Sequence, residues 1–251
     1  MLRRFFERLA FVAALFAPLG AIAGQQRAVP PFSVGEELVY KATFGILPAG
    51  TARMRVEGID TVRGRAAYHI SFAIDGGIIG FRIRDRYESW MDVETLSSLR
   101  HKQDISEGRY RRQTTYEIYP ELGKYKKNDE PMETSVENPL DDGSFVYAVR
   151  ALAIGVGDTL RVDRYFRPDR NPVILMGARA ESVSVNTGKY SAIVVRPRIK
   201  ANGIFGENGD AEIWFSNDER RIPVRIKSRF AKFSLNLALD CYVPGTLASK
   251  G

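Results

Sequence analysis

A period-two alternation of apolar residues is the feature of this sequence that most restricts its fold. Leu38, Tyr40, Ala42 and Phe44 recur at every second position. Side chains on a strand point to opposite faces in turn, so this spacing predicts half-buried antiparallel strands. The predicted fold class is therefore mainly β, with antiparallel sheets that form one sandwich, a clam or an incomplete barrel. Similar alternation occurs at 52–56, 68–74, 81–87, 183–185, 222–226 and 235–239.

One short helix is predicted over about 144–154, between the two groups of strands. Phe145 and Val149 fall on one helical face, and either Asp142 or Ser144 can cap the first turn. The polar segment before it, 124–142, predicts a loop.

The N-terminal segment has the composition of a secretory signal peptide, predicted over 1–23. Three arginines and one glutamate precede an apolar run of about 14 residues, Leu9 to Ile22. That run is shorter than the roughly 20 residues that cross a bilayer. Cleavage is predicted between Ala23 and Gly24, after a small-x-small pattern. No later apolar stretch predicts a transmembrane segment.

The rest of the chain is predicted to form a leader at 24–31, one β-rich domain at 32–243 and a tail at 244–251. Two segments within the domain, about 34–120 and 156–243, resemble each other and indicate two repeated halves. The matched pieces are Val34–Leu38 with Val156–Leu160, Gly77–Gly80 with Gly203–Gly206, and Glu88–Trp90 with Glu212–Trp214.

Three separated motifs resemble domain-of-unknown-function family 3108 (DUF3108). The motifs are Phe32-x-Val34-Gly35-Glu36-x-Leu38-x-Tyr40, then Asp142 to Arg150, and then Glu212 to Val224 with Asn217-Asp218 and Arg221-Ile222-Pro223 inside it. This resemblance implies an exported bacterial β-rich protein. It brings no established activity or ligand, and it supplies no catalytic residue.

Two tryptophans share the charged face of their strands and are candidate binding residues. Trp90 and Trp214 either line a ligand groove, or are turned inward by a β-bulge or covered by the helix or a loop. Basic residues on the same charged faces predict a cationic wall if neighbouring strands bring them together. These candidates are Arg82, Arg84, Arg86, Arg225 and Lys227.

Catalytic and metal-binding signatures are absent from the sequence. His69 and His101 have no partner at metal-ligand spacing, and no catalytic residue, metal site or cofactor is predicted. Glu88 and Glu212, which the internal repeat makes equivalent, are the symmetric pair for carboxylate chemistry. The single cysteine, Cys241, is predicted to be a buried thiol on the last strand.

The leading hypothesis is an exported periplasmic or envelope protein that is not an enzyme. It would bind a lipid-like or other amphipathic ligand, or an envelope partner. The net charge of +7, about +5 without the signal peptide, suits anionic partners, and export argues against nucleic acid. The alternative is an envelope hydrolase, which requires Glu88 and Glu212 to lie about 5–10 Å apart. An outer-membrane barrel fits poorly with the helix and the arginine-rich strands.

Overall fold

The computed structural model describes residues 30–198, 210–230 and 233–246. The predicted signal peptide, its Ala23–Gly24 cleavage site and the segment Gly203–Gly206 lie outside these residues. The described strands are β1 (Glu37–Phe44), β2 (Leu47–Val62), β3 (Arg65–Ile78), β4 (Phe81–Asp92), β5 (Ser98–Glu107), β6 (Tyr110–Tyr119), β7 (Lys124–Lys127), β8 (Glu133–Thr134), β9 (Thr159–Val162), β10 (Val173–Val185), β11 (Gly188–Arg198), β12 (Asp210–Ser216), β13 (Pro223–Phe230) and β14 (Phe233–Val243). The α-helix α1 spans Asp142–Arg150, and short 3₁₀ turns occupy Pro120–Leu122 and Pro168–Arg170.

All fourteen described strands belong to one antiparallel sheet. Consecutive strands pair from β1 to β8 and again from β9 to β14, and β1 pairs with β14 to join the two wings. The sheet ends at β8 and β9 and does not close. The predicted mainly β, antiparallel class with one short helix is confirmed, and the architecture is an open, barrel-like sheet.

The alternation in β1 shows why the sheet has an inner and an outer face. Leu38, Tyr40 and Ala42 are buried, whereas Lys41 between them is exposed. Side chains from both wings join one hydrophobic core, so the sheet curls until its two inner faces meet. Burial of each large apolar side chain contributes about 1.5–3 kcal/mol, which makes this curling favourable. Fully buried members include Ile70, Ile118, Leu175, Val194 and Ile222.

Helix α1 begins at Asp142 and ends at Arg150, so it starts and stops earlier than the predicted 144–154. The N-cap is Asp141, whose carboxylate accepts from the backbone amides of Gly143 and Ser144. The Ser144 hydroxyl in turn accepts from the Asp141 amide, which completes a capping box. Among the described residues, no helix has the length and apolar character needed to cross a membrane.

The prediction that Cys241 is buried is wrong, because this cysteine is exposed on β14. Leu237 and Leu239 face the core, and simple alternation would place Cys241 beside them. The pairing of β1 with β14 shifts register between Val39 and Tyr40, which leaves one extra residue on β14. This β-bulge reverses the alternation beyond it and turns the thiol outward.

Candidate functional site

A cavity of about 560 Å³ lies on the inner side of the curled sheet. Its walls combine apolar side chains of both wings with one face of helix α1. The first wing contributes Ala42, Phe44, Met54, Phe72 and Ile74, the second contributes Leu175, Val195, Ile213, Phe215 and Leu237, and the helix contributes Phe145, Val146 and Val149.

The start of helix α1 is held against β4 by a close contact between Gly143 and the side chain of Ser89. A Cβ atom at Gly143 would lie 2.4 Å from the hydroxyl oxygen of Ser89. The backbone of the first helical turn therefore packs directly on β4, and the next turn presents Phe145 and Val149 to the cavity.

A polar group of side chains lines another part of the cavity. Asp85 is buried and accepts a hydrogen bond from the amide of Ser106 at 2.9 Å. Burial and the neighbouring Asp85 carboxylate raise the pKa of Glu107 above its ordinary value. Arg112 donates to the side chain of Gln103 at 3.3 Å. The cavity therefore combines apolar walls with charged groups of both signs.

His101 is the centre of a buried hydrogen-bond network beside the cavity. Its Nδ1 atom lies 3.5 Å from Asp141 Oδ1, and its Nε2 atom lies 3.5 Å from Asp142 Oδ2. Burial opposes protonation, but the two carboxylates outweigh it and raise the pKa of His101 above the ordinary 6.5. The Asp142 carboxylate lines the cavity and accepts from the Tyr165 hydroxyl at 2.6 Å. Arg170 contacts the Tyr165 oxygen at 3.4 Å.

Trp90, a sequence-predicted binding residue, is buried on the outer face and does not line the cavity. Its ring stacks on His69 with centroids 4.5 Å apart, and its Nε1 donates to Asp60 at 2.8 Å. The guanidinium of Arg100 lies over the ring at 5.5 Å. A register shift between β4 and β5 falls immediately after this tryptophan.

Trp214 has a matching environment in the second wing. Its Nε1 donates to Glu181, and the guanidinium groups of Arg179 and Arg225 lie over its ring at 5.6 and 5.9 Å. It too is buried outside the cavity, and a register shift follows it in the pairing of β12 with β13. Both tryptophans are thus covered by charged neighbours.

The predicted basic residues form two separate groups on the outer face. Arg82, Arg84 and Arg86 lie on β4, whereas Arg225 and Lys227 lie on β13, with β3, β2, β1 and β14 between them. The structure therefore does not assemble both groups into one wall. Each β4 arginine also has an acidic partner: Arg82 and Arg84 contact Asp75, and Arg86 contacts Glu88.

Glu88 and Glu212 are not brought together either. They lie on the outer face of β4 and β12, with five strands between them in the sheet. Glu88 contacts His69 and Arg86. Hydrogen bonds from Arg179 lower the pKa of Glu212 to about 2, so it is a fixed anion. The facing pair required by the hydrolase alternative is absent from the described residues.

Sequence reasoning did not single out the residues that line the cavity. One available signal was Asp85, a carboxylate on the inner side of β4 between Ile83 and Tyr87. A charged residue at an otherwise apolar position of an alternating strand indicates a special environment. Within the described part of the chain, no group of three His, Cys, Asp or Glu side chains is arranged to hold a metal ion.

Comparison with known proteins identifies a family but no activity. No curated protein matches the chain. The chain is similar to a crystal structure from Brucella abortus, described as a beta-barrel-like protein of domain of unknown function DUF1849, with a TM-score of 0.55 and 11% sequence identity. The match covers 86% of this chain and 99% of that one, and at this identity it shows the fold alone. The family model described as "Protein of unknown function (DUF3108)" matches residues 39–237, so the chain belongs to the DUF3108 family, as its three motifs predicted.

Proposed function

We propose that this protein is an exported, non-enzymatic envelope protein that binds a lipid-like amphipathic ligand inside its curled sheet. The observation that carries the proposal is the cavity of about 560 Å³ between the two wings. Small-molecule sites typically occupy about 300–1,000 Å³ and combine apolar walls with a few polar groups. The proposed export rests on the signal-peptide pattern at 1–23.

The apolar walls suit the hydrocarbon part of such a ligand. Phe44, Phe72, Ile74 and Leu235 line the cavity and are only half-buried, although each packs against the hydrophobic core. A hydrocarbon chain would remove part of this remaining apolar surface from water. Each square ångström removed contributes about 25 cal/mol.

The polar side of the cavity suits the head group of the same ligand. Arg112 and Arg170 line the cavity, and their hydrogen bonds there go to neutral groups, the Gln103 amide and the Tyr165 hydroxyl. Their charges also act on the cavity carboxylates of Glu107 and Asp142, whose ionised forms they help to stabilise. Guanidinium groups whose hydrogen bonds go to neutral partners keep further N–H donors that can bind a carboxylate or phosphate oxygen. An acidic amphiphile therefore matches both parts of the cavity.

Native mass spectrometry of protein purified from the periplasm, followed by solvent extraction, tests the proposal. We expect a stoichiometric amphiphile, and N-terminal sequencing should find Gly24 as the first residue. A delipidated sample should bind dansyl-undecanoic acid with an increase in fluorescence. Protein that is bare on isolation and also fails to bind this probe would contradict the proposal.

A cavity-filling variant gives a sharper test with a matched control. Ala42→Phe places a ring at a buried position that lines the cavity, whereas Ala66→Phe places the same ring at an exposed position of β3. We expect A42F to weaken probe binding and A66F to leave it unchanged. Thermal unfolding of both variants would show whether a loss of binding comes from misfolding.

A further inference from the structure

Two neighbouring hairpin tips expose large apolar side chains at one end of the sheet. Ile46, in the β1–β2 turn, is 95% exposed, and Ile79, in the β3–β4 turn, is fully exposed. Leu47, Ile78 and Phe81 flank these turns and are 61%, 52% and 43% exposed. We call these five residues the tip surface.

Close backbone contacts hold the tip surface together. A Cβ atom at Gly76 would lie 1.9 Å from the carbonyl oxygen of Ala49, so the two hairpins meet without an intervening side chain. The ring of Phe81 packs over Gly108 in the β5–β6 turn, where a Cβ atom would lie 2.9 Å from the ring. The β1–β2 and β3–β4 turns therefore form one continuous apolar edge, and Phe81 joins it to the β5–β6 turn.

Positive charge surrounds this edge. The three hairpin segments 41–53, 75–84 and 104–112 contain seven basic and three acidic residues, a net charge of +4. Arg82, Arg84 and Arg109 are exposed. A group of exposed apolar residues bordered by cations differs from the scattered single apolar residues that are ordinary on protein surfaces.

The same end of the sheet leads to the cavity. Phe44 and Gly77, at the tip ends of β1 and β3, line it, and so do Ile83 near the start of β4 and Glu107 at the end of β5. A surface that the tip residues contact therefore lies next to the cavity.

We infer that the tip surface docks on a lipid bilayer that contains anionic lipids. The apolar tips would enter the boundary between head groups and acyl chains, and the surrounding arginines would contact the lipid phosphates. The charge complementarity selects an anionic membrane over a neutral one. Docking does not depend on the proposed ligand, because the tip surface is formed by the protein alone.

Flotation of the mature protein with vesicles tests this inference. We expect binding to phosphatidylcholine vesicles that include phosphatidylglycerol, and much weaker binding to phosphatidylcholine alone. Raising NaCl from about 0.1 M to about 1 M shortens the Debye length from about 10 Å to about 3 Å, and it should release much of the protein.

A double variant distinguishes vesicle binding through the tip surface from nonspecific hydrophobic adsorption. Ile46→Ser with Ile79→Ser should reduce vesicle partitioning about tenfold or more, since two exposed apolar side chains would no longer be buried in lipid. Leu122→Ser is the matched control, because Leu122 is 57% exposed and lies at the opposite end of the sheet. This variant should bind like the wild type, and circular dichroism would confirm that both variants fold.

Three outcomes would overturn the inference. The wild type fails to bind either kind of vesicle, or the I46S/I79S variant binds as well as the wild type. In the third, the wild type does not bind vesicles but sedimentation velocity shows that it is a dimer, and the I46S/I79S variant is a monomer. The tip surface would then be an interface between two copies of the chain. Probe binding in the cavity is measured without vesicles, so its failure is distinguishable from a failure of docking.

Discussion

Arg150 donates to both carboxylate oxygens of Glu36, at 2.5 and 2.9 Å, in a buried ion pair that ties helix α1 to the start of β1. The same guanidinium also donates to the carbonyl oxygens of Pro31 and Arg220. Neither charged side chain has more than 2% of its surface exposed.

This ion pair joins the three motifs that identify the family. Glu36 belongs to the first motif, Arg150 to the second and Arg220 to the third. The turn that carries Arg220 is itself fixed, because Ser216 donates to Asp218 and accepts from the amide of Ile222. None of these six residues lines the cavity, so we infer that these parts of the motifs hold the fold together.

Arg150→Met should destabilise the protein by about 3–5 kcal/mol, because it leaves the Glu36 carboxylate buried without its partner. Glu36→Gln should have a similar effect by leaving the arginine unpaired. Urea unfolding measures both changes. In the double variant, Arg150→Met with Glu36→Leu, the combined cost should be smaller than the sum, since no isolated charge is left inside.

Arg161→Met is the control for removing an arginine. Arg161 pairs with Asp163 at 2.7 Å, but both side chains are more than half exposed. Exposed pairs contribute about 0–1 kcal/mol, so this variant should unfold at nearly the wild-type urea concentration. Equal losses of unfolding free energy in R150M and R161M would contradict the stabilising role assigned to the buried Arg150–Glu36 pair.

The His101 network predicts that stability depends on pH. The folded-state pKa of His101 is raised above 6.5. Its contribution to the free energy of unfolding is therefore complete below pH 6.5 and is lost as pH rises through the raised pKa. The pH dependence of stability has the opposite sign for Asp142. Burial opposes its ionisation, but hydrogen bonds from His101 and Tyr165 lower its pKa below 3.8. Its contribution is therefore present above pH 3.8 and is lost as pH falls further.

Proton NMR titration tests this prediction directly. The imidazole of His101 should titrate above pH 6.5, and the His69→Gln variant assigns the signal, since the chain has only two histidines. The free energy of unfolding should fall at alkaline pH by about 1.4 kcal/mol for each unit by which the measured pKa exceeds 6.5. The His101→Gln variant should lack this loss. A pKa of His101 below 6.5 would show that burial outweighs the carboxylates.

Much of the fold was predictable because strand alternation is a local property. Leu38, Tyr40 and Ala42 occupy the buried positions that their spacing indicated, and helix α1 lies within two to four residues of its predicted bounds. The short strands β7 and β8 fall inside the predicted loop 124–142. They have two to four residues each, too few to show a period.

The cavity was not predictable because it depends on how far the two wings curl toward each other. Phe72 and Val195 line it from strands 123 positions apart in the chain, and no local pattern specifies their separation. A β-bulge also limits prediction, because it reversed the strand alternation that had placed Cys241 in the core.

The duplication of the two halves stays a prediction. Trp90 and Trp214 nevertheless have matching partners, since the indole of each donates to a carboxylate. Each tryptophan also pairs across strands with an arginine, Trp90 with Arg100 and Trp214 with Arg225.

Trp90→Phe and Trp214→Phe should leave binding of dansyl-undecanoic acid unchanged, because both rings lie on the outer face, away from the cavity. Each variant loses one hydrogen bond to a carboxylate and should be destabilised by about 1–3 kcal/mol. Phe72→Ala, which enlarges the cavity, should instead weaken probe binding. Weaker probe binding in a stable tryptophan variant would support the outer-face groove that the sequence suggested.

Cys241 should react with Ellman's reagent in the folded protein, because the bulge in β1–β14 turns its side chain to the surface. One thiol per chain should be modified without denaturant, at a rate near that of the unfolded protein. Val39 pairs with Cys241 at the bulge, so the Val39→Gly variant tests whether the bulge determines the exposure of the thiol. If the thiol reacts only after urea is added, β14 lacks the register shift, and Cys241 faces the core as simple alternation requires.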